Sequence, residues 1–110
     1  MVKYSAAQLD LIFFALSDST RREIIKNLTR KTRTAQEIAR PFDVSLPAIS
    51  KHLKVLEKAQ LVERKIEGRT HFFTLNAKSM EKASKWLEFQ QEFWIQSLAK
   101  MEKLLTKEES

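Results

Sequence analysis

Apolar residues recur at helical intervals through most of the chain and predict a series of helices. Residues 6–16 are apolar nearly all the way round a helix, a pattern typical of a helix that is covered on two sides. A second helix is predicted after the capping residue Asp18 and is expected to end near Lys31. Residues 78–105 contain no proline or glycine and carry apolar residues every three or four positions, which predicts one long helix. The pattern therefore indicates a mainly α-helical fold.

Residues 34–59 have the pattern of a helix-turn-helix. Thr34 begins a capping box that opens a short helix, and Pro41 prevents that helix from continuing. Ser45 caps the next helix, and Pro47 lies in its first turn, where a missing N–H group does no harm. The buried stripe of this second, amphipathic helix is expected to consist of Leu46, Ile49, Leu53 and Leu56. The turn is expected to add two further apolar residues to the core, Phe42 and Val44.

The second helix of this motif has the properties of a DNA recognition helix. Such a helix buries one stripe and leaves the other free to enter the major groove, with small residues near its N-terminus so that the backbone can approach closely. The residues expected to contact DNA from this helix are Ser45, Leu46, Pro47, Ala48, Ser50, Lys51 and Lys54. An ordinary surface helix can share this spacing. His52, on the flank of the helix, either packs against a backbone carbonyl or contacts DNA.

Residues 61–75 predict a β-hairpin, because two short runs of β-branched and aromatic residues flank Gly68, the only glycine of the chain. A basic hairpin after a recognition helix is the wing of a winged helix, which lays cations along the DNA backbone. The residues expected to hold that backbone are Thr34, Arg64 and Arg69. Arg69 can instead be a solvated turn residue, and His71 is either simply exposed or a phosphate contact. The predicted element order is α-α-α-α-β-β-α.

The positive charge of the chain lies in its middle. The sequence has 20 Lys and Arg residues against 14 Asp and Glu residues, a formal net charge of +6. Residues 21–71 hold 13 basic and six acidic residues, a net charge of +7, and the flanks together carry −1. A basic centre between nearly neutral flanks favours a polyanionic partner. Together with the helix-turn-helix it indicates double-stranded DNA.

The two terminal helices have more apolar surface than one contact can cover. Trp86, Phe89 and Phe93 project from a second side of the long helix, and the first helix is apolar on both sides. This favours a homodimer built from residues 1–16 and 78–105. The residues expected at its interface are Leu9, Ile12, Phe13, Trp86, Phe89, Phe93, Trp94, Leu98 and Met101. The aromatic cluster could instead line a small-molecule pocket.

The composition argues against several other classes of protein. Without cysteine the chain has no disulfide and no thiolate nucleophile, and it lacks a glycine-rich phosphate loop and a paired-acid motif, so we expect no enzymatic activity. Its longest apolar run, residues 11–16, is far shorter than the roughly 18 residues of a membrane span. We therefore expect a cytoplasmic protein without a membrane partner. Residues 1–110 are expected to form a single domain.

Two segments of the chain resemble the ArsR family of bacterial winged-helix regulators. They are FFALSDSTRREIIKNL, residues 13–28, and TAQEIARPFDVSLPAISKHLKVLEKAQLVERKIEGRTHFFTL, residues 34–75. The most specific parts are residues 16–22, 45–56 and 67–69. The resemblance implies a winged helix-turn-helix homodimer that represses transcription by occupying operator DNA.

The chain also departs from the family pattern. Metal-sensing members place paired cysteines in the helix before the recognition helix, or histidines and carboxylates along the last helix; this chain has no cysteine and no histidine in its last helix. It therefore resembles a metal-independent subgroup, and we expect no metal and no cofactor, with any small-molecule effector unknown. Family members often carry Pro at the position of Ser19 and Gly at that of Gln60, which are both helix-edge positions.

Two other functions fit a winged helix. The chain could be a protein-interaction module that holds a partner through the aromatic last helix, or a non-specific architectural DNA binder. A neutral or acidic recognition surface would favour the interaction module, and this chain has the reverse. The leading hypothesis is therefore a dimeric, sequence-specific DNA-binding repressor.

Overall fold

The computed structural model describes the backbone of residues 6–109 and the side chains of residues 6–107. Residues 1–5 of the predicted first helix lie outside this range. The helices are α1 (Ala6–Leu16), α2 (Ser19–Leu28), α3 (Ala35–Ala39), α4 (Leu46–Lys58) and α5 (Ala77–Glu109). The strands are β1 (Arg33–Thr34), β2 (Val62–Glu67) and β3 (Thr70–Leu75). Contacts within the chain group it into two compact units, Met1–Met80 and Glu81–Ser110, and the second of these is most of α5.

The core of the first unit is formed by one apolar stripe from each of its helices together with the sheet. Its buried residues are Ile12, Ala15, Ile24, Ile25, Leu28, Ile38, Ile49, Leu53, Leu56, Ala59, Leu61, Val62 and Phe73. Two residues predicted to be buried are not: Val44 is 42% exposed and Leu46 is 41% exposed. Leu46 is the first residue of α4 and precedes the first buried residue, Ile49, by almost one turn. Phe42 is half-buried.

The sheet has three strands rather than the two predicted, in the order β1-β3-β2. The hairpin of β2 and β3 was expected, and β1 adds to it by antiparallel pairing of Arg33 with Phe73 and Thr34 with Phe72. Two residues are too few to show the alternation that identifies a strand in a sequence. The pairing matters for the site because it attaches the start of α3 to the base of the wing.

Helix α2 ends at Leu28, three residues before the predicted end. The N–H group of Thr29 donates to the carbonyls of Ile25 and Lys26, and the Thr29 hydroxyl donates to the Lys26 carbonyl at 2.7 Å. The Nε atom of Arg33 donates to the carbonyl of Asn27 at 3.3 Å. The carbonyls of Ile25, Lys26 and Asn27 at this helix end thus have hydrogen-bond donors from Thr29 and from Arg33 of β1.

Helix α4 ends in a left-handed turn at Gln60, a residue type that does not indicate such a turn in the sequence. Gln60 has φ of +62° and is the only non-glycine residue with positive φ in the described part of the chain. The N–H of Leu61 donates to the carbonyl of Leu56 at 3.0 Å, and the N–H of Gln60 donates to the carbonyl of Glu57 at 2.9 Å. This is the bond pattern of a Schellman motif, which normally favours glycine at the left-handed position. Glutamine at this left-handed position therefore introduces local backbone strain.

Helix α5 has 33 residues, about 50 Å at 1.5 Å per residue, and extends beyond the predicted 78–105 at both ends. Much of its length carries exposed apolar side chains: Leu87, Phe89, Phe93, Trp94, Ile95, Leu98, Met101, Leu104 and Leu105. Within residues 6–109, no helix is both long enough and apolar enough to cross a membrane.

Candidate nucleic-acid interface

The N-terminus of α4 is built as the sequence predicts. The Oγ atom of Ser45 accepts a hydrogen bond from the N–H of Ala48 at 3.2 Å, and Pro47 lies in the first turn. Ser45, Leu46 and Pro47 are exposed, and Ala48 is half-buried. Small and apolar side chains therefore surround the exposed beginning of this helix, where a backbone can come close to base edges.

The rest of α4 separates a buried stripe from a cationic one. Ile49, Leu53 and Leu56 are almost completely buried and hold the helix in place. The exposed stripe carries Lys51, Lys54 and Lys58, and Ser50 beside it is half-buried. Residues three and four positions apart lie on the same side of a helix, so these ammonium groups form one row. The arrangement is a rigid helix that presents small groups first and positive charges behind them.

Thr34 is the N-cap of α3, and its side chain is engaged in a capping box with Glu37. Its Oγ1 atom accepts from the N–H of Glu37 at 3.2 Å and donates to the Glu37 carboxylate at 3.1 Å. The backbone N–H of Thr34 also donates to that carboxylate at 3.1 Å. These hydrogen bonds, the backbone one first, hold the pKa of Glu37 below its ordinary value. The hydroxyl hydrogen of Thr34 cannot be donated to Glu37 and to a DNA phosphate at the same time, so the predicted phosphate contact requires this cap to open.

The wing ends in a two-residue turn, Gly68–Arg69, between the paired residues Glu67 and Thr70. Gly68 has φ of +62°, a conformation that glycine adopts without a steric penalty. Arg69 is exposed at the tip. Lys65, also exposed, lies 3.5 Å from the carboxylate of Glu67. The tip thus presents cations in the way expected of a wing.

Arg64 is the predicted DNA-backbone residue that the structure places differently. Its Nη2 atom donates to the Glu57 carboxylate on α4 at 2.6 Å, and its Nη1 atom lies 3.1 Å from Nδ1 of His71. Its guanidinium also lies over the ring of Phe73, 5.0 Å from the centroid. The side chain is about one third exposed. Arg64 connects the wing to the recognition helix within the chain.

Arg21 is a functional candidate that the sequence analysis missed. Only 8% of this arginine is exposed, and it donates from Nε to the carbonyl of Ala15 at 2.7 Å and from Nη2 to the carbonyl of Phe14 at 3.0 Å. Its Nη1 atom lies 3.2 Å from Nδ1 of His52 on α4. Arg21 therefore joins the C-terminus of α1 to the recognition helix. A signal was present in the sequence, because Arg21 has helical spacing to the buried residues Ile24 and Leu28.

His52 faces side chains rather than the backbone carbonyl that was predicted as one alternative. Its Nδ1 atom is 3.2 Å from Arg21 and 3.9 Å from the carboxylate of Asp18. Because a guanidinium can only donate, Nδ1 accepts in the contact with Arg21. The backbone N–H of Arg21 also donates to the carboxylate of Asp18, and this hydrogen bond is the largest cause of the lowered pKa of Asp18. The His52 side chain is 23% exposed.

The predicted interface residues differ in how much surface they offer. Phe89, Phe93, Trp94, Leu98 and Met101 are each more than half exposed on α5. Leu9, Phe13 and Trp86 are half-buried. Ile12 is only 1% exposed in the single chain, so it packs the core and has no surface left for a second subunit. Helix α1 turns Ile12 inward, together with Ala15, and this burial argues against the predicted interface role of Ile12.

The structure does not favour the alternative that the aromatic cluster lines a small-molecule pocket. The depression beside Phe89 and Phe93 has a volume of about 160 Å³. Ligand pockets usually enclose about 300 Å³ or more. In the part of the chain that the structure describes, no three histidine, aspartate or glutamate side chains come together in a group suited to a metal ion.

This geometry defines a class of protein, a winged helix-turn-helix DNA-binding protein. A model of the helix-turn-helix domain family matches residues 16–65. The transcriptional repressor SdpR of Bacillus subtilis is 34% identical over 76 residues, which cover 69% of this chain and 84% of SdpR.

Solved structures agree with this assignment. An ArsR-like transcriptional regulator from Rhodococcus sp. RHA1 superposes with a TM-score of 0.78 at 35% identity, over 89% of this chain and 92% of that one. The homodimeric winged helix-turn-helix DNA-binding domain Mb0332 from Mycobacterium bovis has the same fold, with a TM-score of 0.62 at 22% identity over 89% and 94% of the two chains. The chain belongs to the ArsR family of transcriptional regulators, and the relatives that it matches are regulators rather than enzymes.

Proposed function

We propose that this protein is a repressor that occupies operator DNA as a homodimer, with one recognition helix α4 in each of two major grooves. The observation that carries the proposal is the construction of α4: a buried stripe holds it rigid, and its free face presents small residues followed by lysines. A related protein, SdpR, is named a transcriptional repressor, which supports repression as the direction of regulation. Its action on a bacterial chromosome would take place in the cytoplasm.

The proposed contacts divide into two roles. The residues assigned to base edges at the start of the helix are Ser45, Leu46, Pro47, Ala48 and Ser50. The residues assigned to phosphates are Lys51, Lys54 and Arg69. Thr34 contributes by holding α3 against β3 rather than by a phosphate contact, since its hydroxyl is engaged in the cap.

The proposed dimer uses the exposed apolar side chains of α5. Leu98 and Met101 are 64% and 58% exposed, and the neighbouring aromatic residues Phe89, Phe93 and Trp94 are exposed to a similar extent. Exposed large apolar side chains that cover this much of a helix usually mark a protein interface. The related domain Mb0332 is described as homodimeric, which supports a second copy of the chain as the occupant. Leu9, Phe13 and Trp86 stay in the proposed interface, and Ile12 leaves it.

The experiment that tests the proposal is a selection from random duplexes. Purified protein is titrated with a pool of random double-stranded DNA over a range of salt concentrations, and the duplexes that stay bound near physiological salt are sequenced. An enriched inverted repeat with half-sites about 34 Å apart, one turn of DNA, would support a sequence-specific dimer. Salt-sensitive binding with no enriched sequence would refute it and favour an architectural binder. Absence of DNA binding would favour the protein-interaction module.

Variants then test the two roles of the interface. Lys51→Ala and Arg69→Ala should weaken binding to selected and random duplexes alike, because phosphate contacts carry no sequence information. Ser50→Ala should change the ratio of the affinity for selected duplexes to the affinity for random duplexes. The matched control is Lys103→Ala, which removes an exposed lysine of α5. Equal losses for Ser50→Ala and Lys51→Ala on both kinds of duplex would contradict the assignment.

The proposal includes no metal and no cofactor. The support is chemical: the chain has no cysteine, and scattered carboxylates are poorly selective ligands for transition metals. A stoichiometric site for Zn²⁺ or Co²⁺ with submicromolar affinity in an equilibrium binding assay would overturn this part of the proposal.

A further inference from the structure

The wing and the recognition helix are joined through one side chain, Arg64. It lies on β2, opposite Phe73 in the register of the hairpin. Its carboxylate partner, Glu57, belongs to the last turn of α4. The 2.6 Å hydrogen bond between them therefore spans two elements, both of which are proposed to touch DNA.

Two N–H groups and one face of the Arg64 guanidinium are engaged within this chain, and its side chain is about one third exposed. One edge donates to Glu57, a second N–H group is directed at Nδ1 of His71, and the flat face covers the ring of Phe73. Because arginine can only donate, the Nδ1 atom of His71 accepts in this contact. A charge-assisted hydrogen bond of this length is stronger than one between neutral groups. A guanidinium held on three sides is poorly placed to swing towards a DNA phosphate.

We propose that Arg64 is a positioning residue, which sets the angle of the wing against the recognition helix through Glu57 and His71, and that it makes no phosphate contact. This inference rests on the proposed function and refines it, since α4 and the wing must reach the same duplex together. Precise placement of the wing relative to the helix decides whether Arg69 meets the backbone while α4 is in the groove.

The proposal makes an unusual prediction for Glu57. Removing an acidic residue from a DNA-binding surface should strengthen binding to a polyanion if charge alone mattered. If Glu57 holds the wing through Arg64, its removal should weaken binding instead. The matched control is Glu67, an exposed acid at the wing tip, whose side chain is 60% exposed.

The experiment measures dissociation constants for a fixed duplex at several salt concentrations. The variants are Arg64→Met, Glu57→Met, the double variant, Arg69→Met and the control Glu67→Met. The active fraction of each preparation is determined by stoichiometric titration, so that a loss of folded protein is not counted as a loss of affinity. The readouts are the affinity and the slope of its logarithm against the logarithm of the salt concentration. The magnitude of this slope decreases by about 0.9 for each DNA phosphate that the variant no longer neutralises.

The expected results separate positioning from phosphate binding. Arg64→Met and Glu57→Met should each weaken binding about fivefold with the salt slope unchanged, and the double variant should be no worse than Arg64→Met alone. Glu67→Met should bind as tightly as the original protein or more tightly. Arg69→Met should lower the magnitude of the slope.

Three outcomes would overturn the proposal. A slope reduced by Arg64→Met as much as by Arg69→Met would make Arg64 a phosphate contact, and tighter binding by Glu57→Met would remove its positioning role; in both cases the proposed function stands. If neither Arg69→Met nor Arg64→Met changes the slope, or if the protein binds no duplex, the DNA interface itself is wrong, and the positioning role fails with it.

Discussion

Replacement of Arg21 by methionine tests the most deeply buried charge of the described structure. Arg21 donates to the carbonyls of Ala15 and Phe14, which belong to the last turn of α1. The last four carbonyls of a helix have no partner within the helix, so they need one from elsewhere. Methionine keeps most of the length of the side chain and removes its donors. The variant thus isolates the hydrogen bonds from the packing.

The expected cost follows from what happens to each partner of the guanidinium. The Ala15 carbonyl is buried, and an unpaired buried acceptor costs about 1–3 kcal/mol. The Phe14 carbonyl keeps the N–H and hydroxyl of Ser17 as donors, so the cost there is small. His52 is partly exposed and can bind water instead. The variant also loses the contact between the guanidinium and the ring of Phe14, which lowers stability further. Removal of a buried charge acts in the opposite direction, because burying that charge costs free energy on folding. We expect Arg21→Met to lower the free energy of unfolding by about 2 kcal/mol.

Arg22 provides a matched control in the next position. Its Nη1 atom also donates to a C-terminal carbonyl of α1, that of Leu16 at 2.8 Å, but this bond is exposed to solvent. Water can replace the arginine there, so Arg22→Met should change the free energy of unfolding by less than about 0.5 kcal/mol. Urea unfolding followed by circular dichroism measures both variants. Chain concentration must be equal throughout, because any dimerisation adds to the apparent stability.

Two results would contradict the role assigned to Arg21. If Arg22→Met destabilises as much as Arg21→Met, burial of the carbonyl is not what makes Arg21 important. If Arg21→Met costs less than about 0.5 kcal/mol, the burial cost of the charge cancels the hydrogen bonds. Either result would show that Arg21 does not stabilise the fold by capping the C-terminus of α1.

Three further predictions concern a helix end, a cap and the proposed dimer. Gln60→Gly should raise the free energy of unfolding by about 0.5–1 kcal/mol, because glycine relieves the left-handed strain at the end of α4; Gln60→Ala, the control, should not, and urea unfolding measures both. The lowered pKa of Glu37 means that its ionised form adds stability above its ordinary pKa, about 4.3, and that this is lost as the pH falls through the lowered value. The stability advantage over Glu37→Gln should therefore be constant near neutral pH and shrink in acid, and a constant difference in acid unfolding would contradict the cap assignment. Leu98→Glu should weaken the dimer at least about tenfold in sedimentation analysis, since it places a charge in an apolar interface, whereas Ala99→Glu adds the same charge on the side of α5 opposite the proposed interface residues and should have no effect.

Much of the recognition motif could be predicted because it depends on neighbours in the sequence. The capping box of Thr34 and Glu37, the cap at Ser45 and the turn at Gly68 all involve groups no more than three residues apart. Such interactions follow from residue type and spacing alone. The predicted helix-turn-helix and wing therefore lie where the structure has them, to within a few residues.

The roles of individual cations could not be predicted in the same way. The basic region of residues 21–71 includes Arg21 and Arg64, and the sequence treats both as surface charges. In the structure Arg21 contacts His52, 31 positions away, and Arg64 binds Glu57 on another element. The proposed DNA contacts therefore rest on fewer cations than the sequence suggests, chiefly the lysines of α4 and the wing tip.

The helices, their caps, the basic centre and the resemblance to the ArsR family could be predicted from the sequence, because periodicity, capping, charge and motifs are local properties of the chain. Tertiary structure alone decided that β1 joins the sheet, that Ile12 is buried while Leu46 is exposed, and that Arg64 joins the wing to α4. Each of these depends on which elements pack together. A side chain far along the chain becomes a neighbour only when the core brings its element there, and no local pattern records that choice.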